Sequence, residues 1–262
     1  MNGFLSALWA ETLKARRSKV ALLTAAGLSI LPVVDGLFMI ILKDPARARE
    51  MGLIGAKAQL TAGVADWPTF FYVLVLGTAI GGAILFAFIT AWVFGREFSD
   101  HTAKELLALP TSRVVIVGAK FVLIAFWILG LALWIYTLGL AIGKVVGIPG
   151  DFPGLAWRSF SYFLLAVLLT FLLMPWVAFF ASMGRGYLPP LGWAVLTLAL
   201  AQILAVLGLG DWFPWAVPGL IGEMAGPSAE PVPLHSYILV LLTFIAGIAA
   251  TFAWWRSADQ SR

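Results

Sequence analysis

The sequence predicts an all-α polytopic membrane protein with six transmembrane helices, and three observations lead there. Of 262 residues, 61% are apolar and only 11% charged, less than half of the roughly 25% charge usual in globular domains. The apolar residues gather into six runs, 20–42, 70–94, 121–142, 159–183, 187–209 and 236–255, each close to the ~20 residues that cross the hydrocarbon core. None alternates with period two, and all exceed the ~10 residues of a barrel strand, so helices are the spanning structure left. The composition excludes a soluble domain and a disordered chain alike. The runs cover over half of the chain, leaving no stretch for a second domain, so residues 1–262 are read as a single transmembrane domain. With no cysteine and only His101 and His235, disulfide, thiolate and zinc chemistry are not expected, and neither is a metal site.

Residues 1–19 precede the first run. Phe4, Leu5, Leu8, Trp9 and Leu13 recur at helical spacing, Glu11 and Lys14 stand off that stripe, and Lys14, Arg16, Arg17 and Lys19 follow as a basic cluster. The pattern predicts an amphipathic interfacial helix whose apolar stripe sinks into the headgroup boundary while its cations meet anionic lipid. It serves either as a plain anchor or as a platform for a partner. The first run, 23 residues long, exceeds a signal-peptide core and lacks an A-x-A site, so it is expected to stay in the protein. Six spans put both termini on one side. If that side is cytoplasmic it carries eleven Lys and Arg against six outside, the asymmetry expected of a multi-pass protein of the cytoplasmic membrane with both termini in.

The loop at 95–113, between the second and third runs, is densely charged. Thr102 and Glu105 have capping-box spacing, so a short helix is expected to start after Thr102; Pro110 ends it. The helix would be about 10 Å long. Thr111 or Ser112 then caps a further helix that runs through Lys120 into the third span. By itself this is either a docking element or a solvated connector.

Glu97-Phe-Ser-Asp-His-Thr-Ala-Lys-Glu-Leu-Leu-Ala-Leu-Pro-Thr-Ser-Arg113, followed by Gly118-Ala-Lys-Phe121, resembles the cytoplasmic loop of the type-2 ABC transporter permeases, the six-helix membrane subunits of ATP-driven bacterial exporters, which implies a bacterial or archaeal cytoplasmic membrane. Glu11-Thr-Leu-Lys-Ala-Arg-Arg-Ser-Lys19, Asp211-Trp-Phe-Pro-Trp-Ala-Val-Pro-Gly219 and Trp254-Trp-Arg-Ser-Ala-Asp259 agree in order and placement. His101 departs from the small or strongly basic residue more usual there. The resemblance implies an ATP-dependent efflux permease that pairs with a second permease copy or paralogue and with a separate cytoplasmic ATPase. It makes the 95–113 loop a coupling element, with Arg96, Glu97, Asp100, Thr102, Lys104, Glu105 and Arg113 at the ATPase contact and Trp9, Glu11, Lys14, Arg16 and Arg17 on the helix beside it. No Gly-x-x-x-x-Gly-Lys-[Ser/Thr] loop occurs, so ATP and Mg are expected on the partner chain.

Within the spans, Asp35 is expected toward the outer interface, either as a snorkelling or helix-paired group or lining a route for a polar or cationic substrate. Gln202 suggests an interhelical hydrogen bond or a ligand contact. Pro175 reads as a kink. Gly77 and Gly81, and Gly139, Gly143 and Gly147, have the small-residue spacing of close packing, within one chain or across a dimer. In the outer loop, 210–235, Phe213, Pro214, Trp215 and Pro218 form a stretch too apolar for a free loop, predicting a re-entrant or interfacial segment with Trp212 and Trp215 at headgroup depth. No Gly-x-Ser-x-Gly, no His-Glu-x-x-His and no carboxylate pair in the spans argue against an intramembrane enzyme. A non-transporting scaffold for a soluble partner is the remaining alternative, and nucleic acid is not an expected partner.

Overall fold

The computed structural model describes residues 3–50, 52, 63–100, 102, 111–150, 152–225 and 231–257, and among them there is no strand. Six helices are long and apolar enough to cross a membrane, and each contains most or all of one apolar run. Helix α1 is Gly3–Arg17, α2 Val20–Lys43 and α3 the short Pro45–Glu50. Helix α4, Trp67–Ser99, starts where the Asp66 side chain accepts from the Thr69 amide at 2.9 Å and Pro68 occupies the first turn, a combination suited to a helix start. Its ladder loosens into a π turn over Thr78–Gly82. Helix α5, Arg113–Val146, starts at Ser112, whose hydroxyl accepts from Val115, and stops at Gly147 in the left-handed region. Helix α6, Phe152–Met183, runs on through Pro175. Then come α7, Leu188–Val206, a 3-10 turn at Gly210–Trp212, α8, Val217–Ala225, and α9, Leu234–Ser257.

Helix α6 is the hub, packing against α4, α7, α8 and α9, while α2 and α1 pack along α5. Glycine spacing sets several of these approaches. A Cβ on Gly139 would lie 3.0 Å from Leu74, one on Gly143 2.6 Å from the Trp67 ring, and one on Gly36 would overlap the Ile142 side chain; these small-residue positions are used inside the chain. Gly147 is a C-cap instead of a third packing glycine, with φ +69°. Lys43 Nζ, from the end of α2, donates to the Val146 and Gly147 carbonyls at 2.5 and 2.8 Å and places a cation at the negative end of α5. Between α6 and α7, Arg185 turns the chain at φ +50°, and the Gly186 carbonyl sits where a Cβ on Gly95 would come within 3.0 Å. The hairpin is thereby seated on the last turns of α4. Pro175 does not interrupt its helix; its carbonyl accepts from Thr251 at 3.1 Å, tying α6 to α9.

Candidate functional site: a buried charge cluster beside the 95–113 loop

Four charged side chains meet at the end of the bundle where α4 finishes and α5 begins. Glu11 and Lys14 come from α1, Glu97 from the last turn of α4, and Lys120 from the second turn of α5. Lys120 is wholly buried, Glu97 2% and Glu11 4% exposed. The Lys120 ammonium donates to Glu97 Oε1 at 2.7 Å, to the Val93 carbonyl at 2.7 Å and to Glu11 Oε2 at 3.2 Å, which uses all three of its protons. Lys14 donates to Glu11 Oε1 at 2.7 Å and Glu97 Oε1 at 3.1 Å. Two positive and two negative charges leave the cluster neutral. Burial opposes the charge on Lys14, but the carboxylates of Glu97 and then Glu11 outweigh it and hold its pKa above the ordinary lysine value, so it stays protonated across the physiological range. Glu97 Oε2 is buried with no hydrogen-bond partner among the described residues. Removing one member of a buried ion set costs about 3–5 kcal/mol, because its partners stay behind uncompensated. The cluster thus fastens α1 to both helix ends that flank the loop.

Aromatic rings close the cluster off from the bundle. Phe94 packs on Phe121 and Trp255, and Phe98 on Trp254 and Trp255. The Trp255 indole donates to Ser182 at 2.9 Å, and Arg113 donates to the Trp255 carbonyl at 3.2 Å, so the far end of the loop is held by α9.

The residues read from the sequence divide into distinct groups. Glu97, expected at an ATPase contact, is buried under α1 and faces Lys120 and Lys14 instead of solvent. Arg96 lies 4.8 Å over the Trp92 ring and 3.8 Å from the exposed Asp100, and Thr102 is exposed. Lys104, Glu105 and the short helix expected after Thr102 lie outside the described residues. On α1, Glu11 is on the buried face, although its polarity put it off the apolar stripe. Phe4 meets Gly118 and Leu8 joins the core, whereas Leu5 and Trp9 point outward. The stripe is split because one flank covers α5. Arg16 and Arg17 are exposed. Lys120 was legible only as a basic residue near a span end; its depth, seven residues into α5 from Arg113, is the signal that separates it from a snorkelling lysine.

Asp35 is buried and, among the described residues, unpaired. It is 2% exposed and neither carboxylate oxygen has a hydrogen-bond partner there; its helix is clasped by α5 at Gly36. Gln202 is exposed on the wall of a groove of about 300 Å³ between α4, α7 and α8, not between packed helices. In the outer segment, Trp212 is 63% exposed and stacks on His235 at 4.3 Å, and Phe213 lies against Trp215. Trp215, expected beside Trp212, packs on Trp193 with ring centroids 5.6 Å apart. Trp193 is five residues into α7 from the α6–α7 hairpin, about 8 Å from that end. Pro214 and Pro218 bracket the turn that carries Trp215 down, and Gly222 of α8 lies against the Leu76 backbone.

A family model described as ABC-2 family transporter protein matches residues 7–201, which include most of α1, the charge cluster and the first four spans. The bacitracin transport permease protein BCRB of Bacillus licheniformis is 28% identical over 184 residues, covering 68% of this chain and 85% of that protein. No solved structure matches. With six apolar spans around an α1 clamped to the loop end of the bundle, and a family match over most of its length, the chain belongs to the ABC-2 transporter family as a multi-pass permease subunit of an ABC transporter.

Proposed function

We propose that this permease forms the translocation path of an ATP-driven exporter, with a second permease copy beside it and a separate cytoplasmic ATPase docked at the 95–113 loop. The observation that carries this reading is the cluster of Glu11, Lys14, Glu97 and Lys120. A push on the loop reaches α4 at Glu97 and α5 at Lys120, and both transmit it to α1, Glu97 through the partly exposed Lys14 and Lys120 through a bond to Glu11 that is buried from water. The loop end and both termini are cytoplasmic in this reading, as the eleven-to-six basic asymmetry favours. Bacitracin, named for the Bacillus licheniformis relative, is the first substrate to test; export is the direction proposed.

Glu11→Gln removes the α1 carboxylate that holds Lys120 of α5, and that also pairs with Lys14 on its own helix, and leaves the loop residues intact. At equal membrane abundance and equal copurification of the ATPase, ATP-dependent transport is expected to fall on the order of tenfold, since about 1.5–3 kcal/mol is lost with a charged hydrogen bond. Unchanged transport at unchanged abundance would defeat the coupling assignment, and failure of any ATPase chain to copurify with the unaltered protein would defeat the exporter reading.

A further inference from the structure

We infer that the indole of Trp215 is the shutter between two compartments of one apolar path along α4, α6 and α7, a path fitted to the apolar part of an amphipathic substrate. The inference rests on the permease reading. On the outer side lies the groove of about 300 Å³ edged by Leu76, Gln202 and Gly219. On the other side lies a cavity of about 20 Å³, between Ala83 and Ala87 of α4, Thr170 and Val177 of α6, and Ala194 and Thr197 of α7. Three residues belong to the walls of both: Ala79, Leu198 and Trp215. Ala79 is in the π turn, a local departure from the regular ladder that recurs at functional sites, and Leu198 is fixed on α7. Trp215 alone of the three is on a turn outside the long helices, with a proline on either side of that turn.

The chemistry of the walls sets the substrate class. Thr170 and Thr197 hydroxyls already donate to the carbonyls of Ala166 and Trp193 at 2.8 and 2.9 Å, so neither needs a ligand, and the remaining inner lining is apolar. Gln202 places one amide at the groove alone. A substrate would therefore keep its polar part at Gln202 and pass its apolar part inward once the indole swings aside. In the structure the inner cavity holds about one water by volume and Trp215 is braced by Trp193 and Phe213, which is the closed arrangement.

The natural absence of cysteine allows a direct test on the full-length protein in lipid nanodiscs. Ala83→Cys reports the inner cavity and Gln202→Cys the groove, with methyl methanethiosulfonate as the probe. If the probe reaches the inner thiol only in the fraction of time that the shutter is open, its rate scales with that fraction. Adding Trp215→Ala should then raise the rate in the Ala83→Cys protein on the order of tenfold or more and leave the rate in the Gln202→Cys protein within about twofold, whereas adding Trp215→Phe should keep the inner thiol slow. Equal inner-thiol rates in all three backgrounds, or equal acceleration by Phe and Ala, would overturn the inference. Acceleration of both thiols together, from a loosened bundle, would overturn it as well. None of these readouts involves ATP, so the shutter can fail while the exporter reading stands, and transport can fail while the shutter stands.

Discussion

Charge balance decides what single residues at the cluster do. Lys120→Met leaves two carboxylates with one lysine, a net charge of −1, and Glu97→Gln leaves two lysines with one carboxylate, a net of +1; the double variant returns to zero with Glu11 still paired to Lys14. Each single change should lower thermal stability and membrane abundance, by about 3–5 kcal/mol if the remaining groups stay buried, while the double should cost clearly less than the sum. Melting curves of the three purified variants check this, and a strictly additive double would show that Lys120 and Glu97 do not act on one another. The sequence told only half of this site. Glu97 and Glu11 stand in segments whose composition marks them out, and a cap at Thr111 or Ser112 was legible after Pro110, of which the structure uses Ser112. The partners were not, because the pairing joins residues 109 and 23 positions apart in the chain and depends on how α1 rolls against α5, which hydrophobic periodicity leaves undetermined. For Asp35 the height along α2 follows from the rise per residue, whereas the side it faces is set by the close approach at Gly36.

At the scale of elements, two glycines of α5 separate packing from propensity. Gly143→Ala drives a Cβ to 2.6 Å from an indole that is itself held by Phe70 and Phe71, so α4 and α5 must part, at a cost of about 1–3 kcal/mol. Gly130→Ala meets nothing within 4 Å and should stabilise by up to about 1 kcal/mol through helix propensity. Opposite shifts in melting temperature are expected, and matching shifts would show that the α4–α5 approach is looser than the structure has it. The six long helices were legible because bilayer thickness imposes a length on them; of their ends, the start of α5 after Thr111 or Ser112 was legible, while the Asp66 and Gly147 caps were not. Helix α8 was beyond that reading: nine residues cannot span, and its place against α4 is set by a close approach, Gly222 on the Leu76 backbone. The apolarity of 213–218 announced burial, but not that Trp215 would reach the ring of Trp193 while Trp212, three residues away, stayed outside.

For the whole molecule, the issue is which end faces the ATP supply. The two ends differ in kind. At the loop end stand the charge cluster, the exposed Arg16, Arg17 and Lys19 of the α1 region, and the exposed Ser99, Asp100, Thr102 and Ser112 of the 95–113 segment; at the other, Trp212 and His235 stack beside Asp211. The basic residues near the spans favour the loop end as cytoplasmic, and an ATPase can reach the loop only on that side. Val64, 70% exposed before α4, and Ser99, exposed at its far end, are separated by a helix of 33 residues, about 50 Å, so they report opposite faces of the membrane. In this cysteine-free chain, Val64→Cys should be labelled by an impermeant maleimide on intact cells and Ser99→Cys only after permeabilisation. The reverse pattern would put the loop outside, away from ATP, and would end the coupling proposal; it would leave the cluster energetics, the glycine contrast and the Trp215 shutter standing, because those depend on which groups touch and not on which way the bundle points.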